Sequence, residues 1–233
     1  MKVAYGLRSR LRRSLIALGE AEREAAFGRA TFHRYSHGEL LVAPTTLRPQ
    51  VFYIEAGRVR LVLHGPQNHD KVVCILGPGA MVGESALQAM NRQTSAYALG
   101  MAETYAWDLD VALELLETNL AFTAHVITSL ALKTKLFAAQ IEALSFYSAA
   151  ERVARTFSNL AEVYGEQTRQ GIRIPLRLTQ EDIGEMANAS RVTVSKVFSQ
   201  LKREGLITKH RGCFIVRDVQ RISRWVHNQE CTA

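Results

Sequence analysis

The stretch from about 109 to 144 constrains the fold most: 36 residues with neither Gly nor Pro, in a chain that carries 15 and 5 of them. Both residues break helices, so a long run without them reads as one long helix. A stripe runs along it through Ile127, Leu130, Thr134, Phe137, Ile141 and Leu144. Its steps alternate between three and four, a heptad seam with one polar member. Such a seam is buried only against another helix. The chain has no second helix of this kind, so the expected partner is the same helix of a second copy. A second stripe, Phe122, Val126 and Leu136, is better placed to pack on the chain's own neighbouring domain.

The flanks of this helix differ. From about 31 to 108, the segments Val51 to Ile54, Val59 to Leu63, Val72 to Leu76 and Thr94 to Leu99 are rich in β-branched and aromatic residues. Gly38, Gly57, Gly65, Gly77, Gly79, Gly83 and Gly100 punctuate them. Short strands at near-regular spacing predict a β-barrel or sandwich. After the long helix, Ala150 to Tyr164 reads as a helix closed by Gly165, and Glu166 to Gly171 as a polar loop.

The formal net charge is +7 over 233 residues, and its position is informative. Between Arg169 and Arg224 there are 12 Lys and Arg against 5 Asp and Glu, while the remainder is balanced. A concentrated positive stretch suits a polyanion, most often nucleic acid. Within it, Thr179 and Asp182 have the spacing of a capping box for a helix reaching Ala187. Asn188, Ala189 and Ser190 form a turn, and Ser190 can cap a second helix from Arg191 to about Glu204, ended by Gly205. Val194, Val197, Phe198 and Leu201 make its apolar face; Val192, Ser195, Lys196 and Ser199 make the opposite one. Two short helices across a three-residue turn predict a helix-turn-helix. Leu206 to Thr208 and Cys213 to Arg217 then flank a basic tip, Lys209 to Gly212, which reads as the wing of a winged helix. Expected DNA contacts are Arg191, Val192, Ser195, Lys196 and Ser199, with Thr179 from the first helix and Lys209 and Arg211 from the wing.

Other classes are disfavoured. The 47% hydrophobic and 22% charged content is that of a folded protein. No apolar run approaches the roughly 18 residues of a membrane span. The basic start lacks a secretory h-region and cleavage site, so a cytoplasmic location is expected. Cys74, Cys213 and Cys231 lie far apart, with no ligand spacing. No metal, cofactor or catalytic residue is therefore expected, and no enzyme.

The order of parts resembles the Crp–Fnr superfamily (cyclic-AMP receptor protein / fumarate–nitrate regulator) of bacterial transcription factors. The resemblance covers about 30 to 220. It rests on FYIEAGRVRL from Phe52 to Leu61, GPGAMVGES from Gly77 to Ser85, LTQEDIG from Leu178 to Gly184, SRVTVSK from Ser190 to Lys196 and LKREGLI from Leu201 to Ile207. It implies an α+β architecture. Residues 1–108 form an N-terminal arm and a β-roll like a cyclic-nucleotide-binding domain, 109–146 the central dimerisation helix, and 147–233 the winged helix-turn-helix. It also implies a homodimer on double-stranded DNA, with RNA polymerase as a further partner. It further implies that a small-molecule effector binds between β-roll and helix and that the DNA heads then reorient.

The expected effector pocket comprises Gly83, Glu84, Ser85, Thr94, Ser95, Tyr97, Lys133 and Phe137. Cyclic-nucleotide binders of the family follow Gly-Glu with an Arg-Ser pair that holds the phosphate. Gly83 and Glu84 match, but Thr94 and Ser95 stand at the Arg-Ser positions. Arg92 lies two residues away, a displacement of about 6–7 Å along a strand. Phe137 and Ala138 replace a polar Thr-Ser pair on the helix. A cyclic phosphodiester would lose its bidentate Arg, so the effector is not expected to be cyclic AMP. Gly83 and Ser85 stand where haem-based carbon-monoxide sensors have Cys and His, and no cysteine precedes Cys74 as the oxygen-sensing branch requires.

What remains is a more aromatic pocket, with Tyr97, Phe137 and Tyr53. Lys133 ahead of Phe137, together with Val192, resembles the halogenated-phenol-sensing branch, where a central-helix Lys pairs with the phenolate. A solvated helix face for Lys133 and plain core for the aromatics stay open. So does a redox or gas sensor on the same scaffold, using Cys74 or His125. Most family members have Glu at the position of Val192, where it accepts from a cytosine; Val can only touch a thymine methyl.

Overall fold

The computed structural model describes residues 20–45, 48–66, 70–87, 94–176 and 178–230. The basic start of the chain, Arg92 and Cys231 lie outside them. The described residues fall into two compact units, one reaching Ala138 and the other beginning at Ala139. That boundary lies inside the long helix.

The first unit opens with helix α1 (Glu20–Phe27), followed by β1 (Thr31–Tyr35), β2 (Leu40–Val42), β3 (Gln50–Ala56), β4 (Val59–Leu63), β5 (Lys71–Leu76) and β6 (Met81–Val82). A 3-10 turn, Glu84–Leu87, precedes β7 (Thr94–Ala98) and β8 (Ala102–Asp108). The strands form two four-stranded antiparallel sheets, in the orders β1-β8-β3-β6 and β2-β7-β4-β5. Gly57 has φ 80°, and a Cβ there would sit 2.1 Å from the Met101 carbonyl oxygen. The β3–β4 turn therefore admits no side chain at that position. Trp107, Val51, Tyr53, Met81, Phe122 and Val126 are buried in one apolar cluster. Phe27 meets Tyr53, Tyr105 and Trp107 edge-on, and the Trp107 indole donates to the Ala26 carbonyl at 2.8 Å.

The predicted single helix is two: α2 (Leu109–Thr118) and α3 (Leu120–Phe146), bent by 109°. The cause is Asn119. Its backbone is extended, its N–H closes α2 on Leu115, and its side-chain oxygen accepts from the Phe122 N–H at 2.9 Å. One Asn thus ends a helix and caps the next, with neither Gly nor Pro needed. The two stripes of α3 separate cleanly. Phe122, Val126 and Leu136 are buried, whereas Ile127, Leu130, Thr134, Phe137, Ile141 and Leu144 are exposed.

The second unit holds α4 (Ala149–Tyr164), β9 (Glu166–Thr168), β10 (Gly171–Ile174), α5 (Gln180–Ala187), α6 (Arg191–Arg203), β11 (Ile207–His210), β12 (Cys213–Val216) and α7 (Val219–Glu230). Ser148 and Glu151 cap α4 reciprocally. The segment read as a polar loop is a hairpin, β9 with β10, at one edge of the sheet β11-β12-β10-β9. Its polar side chains suit an edge strand with solvent on its outer side. Phe157, Phe198 and Phe214 form the aromatic centre, with ring centroids 5.0 to 6.3 Å apart. The wing is tighter than expected, since Lys209 and His210 belong to β11. Only Arg211 and Gly212 turn the chain, with φ of 49° and 82°, the two positive values of a tight hairpin turn.

Candidate functional site

One candidate surface is built on α5 and α6. The Thr179 hydroxyl accepts from the Asp182 N–H at 3.0 Å, and the Asp182 carboxylate accepts from the Thr179 N–H at 2.8 Å. Asn188 then takes the left-handed conformation, φ 49°, and ends α5. The Ser190 side chain accepts from the Thr193 N–H at 3.1 Å and starts α6. Gly184 lets the turn close against α5, because a Cβ there would lie 2.8 Å from the Ala189 carbonyl oxygen. Val194, Val197 and Leu201 are fully buried, which fixes the rotation of α6.

That rotation turns Arg191, Val192, Lys196 and Ser199 to solvent, with Ser195 half-buried between them. Val192 is 63% exposed, an apolar side chain held out among cations and hydroxyls. Thr179 is exposed, but its hydroxyl is engaged by Asp182. Arg211 is exposed at the wing tip. Lys209 is held back: its ammonium donates to the Leu178 carbonyl at 3.1 Å and lies 4.6 Å from the Phe214 ring centre. Short polar and basic side chains on one face of a second helix are what reads base edges in a major groove.

A second candidate lies between the sheets and α3. Gly83 has φ 91° and no room for a Cβ, which would come within 2.4 Å of the Gln50 carbonyl oxygen. The chain therefore turns sharply there and delivers Glu84 inward, while Ser85 stays exposed. Glu84 is 5% exposed and pairs with the ammonium of Lys133, itself 7% exposed. The fully buried Ser129 lies one turn away, accepts from the Met81 N–H at 3.0 Å and donates to Glu84 at 3.3 Å. His125, Ser129 and Lys133 are spaced by four and line one buried face of α3.

His125 is buried and lies 5.6 Å from the Tyr53 ring centre. Burial pushes its pKa down to about 4, against the opposing pull of the Gly79 carbonyl and Glu84. Burial pushes the Cys74 thiol up to about 12, with Lys133 lowering it and Glu84 raising it by smaller amounts.

The other expected pocket residues have partners or surroundings of their own. Ser95 is buried on β7 and hydrogen-bonded at 2.7 Å to His64, whose other ring nitrogen meets Asp70 at 3.0 Å. Thr94 and Tyr97 are half-buried on the same strand, and the Arg60 guanidinium lies 5.6 Å from the Tyr97 ring centre. Phe137 is exposed with the seam residues. The sequence reading missed Ser129 and the His64–Asp70 pair. Four-residue spacing of His125, Ser129 and Lys133 within a buried face was the available signal for the first. Among the described residues, no group of three or more His, Cys, Asp or Glu is placed to hold a metal, and no single helix is long and apolar enough to cross a membrane.

Comparison with known proteins matches two stretches of the chain to domain families. Residues 32–119 match the cyclic nucleotide-binding domain, and residues 151–225 the Crp-like helix-turn-helix domain. Over 191 residues the chain is 24% identical to the CRP-like cAMP-activated global transcriptional regulator of Mycobacterium tuberculosis (strain H37Rv), covering 82% of this chain and 85% of that one. Among solved structures, a CooA mutant from Carboxydothermus hydrogenoformans superposes with a TM-score of 0.72 at 24% identity, over 87% of this chain and 90% of that one. The c-di-GMP responsive global regulator CLP of Xanthomonas campestris gives 0.77 at 17% identity, over 86% and 100%.

Proposed function

As a member of the Crp–Fnr superfamily, this chain is an effector-responsive DNA-binding transcription regulator, and we propose that it works as a homodimer on a near-palindromic site under an effector other than cyclic AMP. The observation that carries the reading is the exposed seam of α3. Ile127 is 61% exposed, Leu130 43%, Phe137 38%, Ile141 65% and Leu144 42%. Apolar residues at heptad spacing on one exposed face form a coiled-coil surface awaiting its partner. Two copies joined there present two α6 helices, and a two-fold dimer reads two arms about one helical turn, roughly 34 Å, apart. Arg191, Val192, Ser195, Lys196, Ser199 and Arg211 make the contacts. A cytoplasmic location and RNA polymerase as a partner belong to the same reading.

The curated relative named above is cAMP-activated, but three features of this chain argue against that ligand. Thr94 offers no cation, Ser95 is bonded to His64, and Glu84 is neutralised by Lys133. A desolvated ammonium needs an anion, so an organic anion reaches Lys133 by displacing Glu84. A chlorinated phenol is the first such probe. The test is sedimentation of the full chain combined with thermal shift. The expected result is a dimer whose melting temperature rises with the chlorinated phenol and not with cyclic AMP. In Lys133→Leu the phenol shift is lost. A monomer across the concentration range, or a tight saturable response to cyclic AMP, contradicts the reading.

A further inference from the structure

Arg152, on the first turn of α4, donates to three backbone carbonyls, each at 2.7 Å. Its Nε bonds Ala187, one terminal nitrogen bonds Asn188, and the other bonds Tyr147. Ala187 and Asn188 are the end of α5, where carbonyls have no helical partner and a cation is favoured. Tyr147 is the residue that follows α3. Arg155, one turn further along α4, places its guanidinium 4.0 Å from the Tyr147 ring centre, a close cation–π contact. Two arginines on one face of α4 therefore grip a single residue, one by its carbonyl and one by its ring.

We propose that Arg152 is a positioning residue for DNA reading, joining the exit of α3 to the turn that aims α6. The helix-turn-helix supplies its own caps at Thr179 and Ser190, so the domain does not need Arg152 to form its helices. What those caps leave undetermined is the direction of the turn relative to the end of α3. A planar guanidinium with donors fixed in a fork holds three carbonyls in one geometry, which a lysine ammonium on a flexible stem does not. Loss of the fork frees α6 to swing while its own fold persists.

The proposal rests on the two-armed reading of DNA given above, and its test separates the two. A duplex selected from random DNA by the wild-type chain is compared with the same duplex lengthened by one base pair between the arms, which rotates one arm by about 35°. Arg152→Ala and Arg152→Lys are expected to lose about tenfold in affinity for the selected duplex, the scale of one charged hydrogen bond. Their preference for it over the lengthened duplex should fall by at least about threefold. Tyr147→Phe, which keeps carbonyl and ring, should behave as wild type. Helical content, melting temperature and dimerisation are followed in parallel. An unchanged preference between the duplexes, or an equal loss on both, overturns the proposal. A wild-type chain that selects a single arm fails the two-fold reading instead. The clamp is then judged by hydrogen exchange at Ala189 and Ser190, and amides as protected in Arg152→Ala as in wild type overturn it.

Discussion

Lys133 on α3 and Glu84 after the Gly83 turn lie 49 positions apart in sequence and form an ion pair almost wholly removed from water. The pair ties the long helix to the β domain, with Ser129 as a second link through the Met81 N–H. Removing one partner strands the other, at a cost of about 3–5 kcal/mol.

The pair should therefore behave non-additively. Lys133→Met and Glu84→Gln are each expected to destabilise strongly in urea titrations. The double variant should be more stable than the sum of the singles by more than about 1 kcal/mol. Additive losses would show that the two groups are not coupled.

His125 makes stability depend on pH. Its folded-state pKa of about 4 is below the ordinary 6.5, because burial disfavours the cation. Between these values the unfolded chain binds the extra proton. Stability is thus fully present above about pH 6.5 and is lost as pH falls toward 4, by on the order of 3 kcal/mol. Melting temperatures at pH 7.5 and 5 should differ less in His125→Phe than in wild type. An equal fall in both removes His125 as the cause.

Cys74 should be chemically inert in the native state. A buried thiol raised to about 12 carries almost no thiolate at pH 8. Cys213 is half-buried and should react with a thiol reagent before Cys74 does. Cys74 should be modified only after denaturation. Native labelling of Cys74 at the rate of Cys213 contradicts this and favours a redox role.

The α3 seam is testable by charge. Phe137→Glu with Ile141→Glu places four carboxylates in one two-fold interface. Dimerisation and DNA binding are expected to fail together while the β domain keeps its Trp107 environment. A double variant that still sediments as a dimer removes α3 as the interface.

Much of this molecule was legible in local pattern. The capping pairs at Thr179 and Ser190, the φ-positive glycines between strands, and the two stripes of α3 follow from nearest-neighbour chemistry. The break at Asn119 was hidden because it uses a side-chain cap inside a run without Gly or Pro. The Glu166–Ile174 hairpin was hidden because an edge strand need not alternate apolar and polar residues. The pairing of Glu84 with Lys133 and the tethering of Lys209 to Leu178 are tertiary events. Residue spacing marks each as a cation or an anion but does not name its partner.

In the proposed mode of action, paired α6 helices read DNA with Val192 at a base edge. Its exposed methyl groups can touch a thymine methyl but cannot accept from a cytosine. Selection of bound sites from random duplexes by the wild-type chain and by Val192→Glu tests this most directly. The wild type should select a near-palindrome with A·T at that pair, half-sites closer to TTAAT than to TTGAT or TGTGA. Val192→Glu should shift that one pair toward G·C by about 1–3 kcal/mol. A wild type that selects G·C there, a variant whose preference does not move, or sites without two arms would contradict the account.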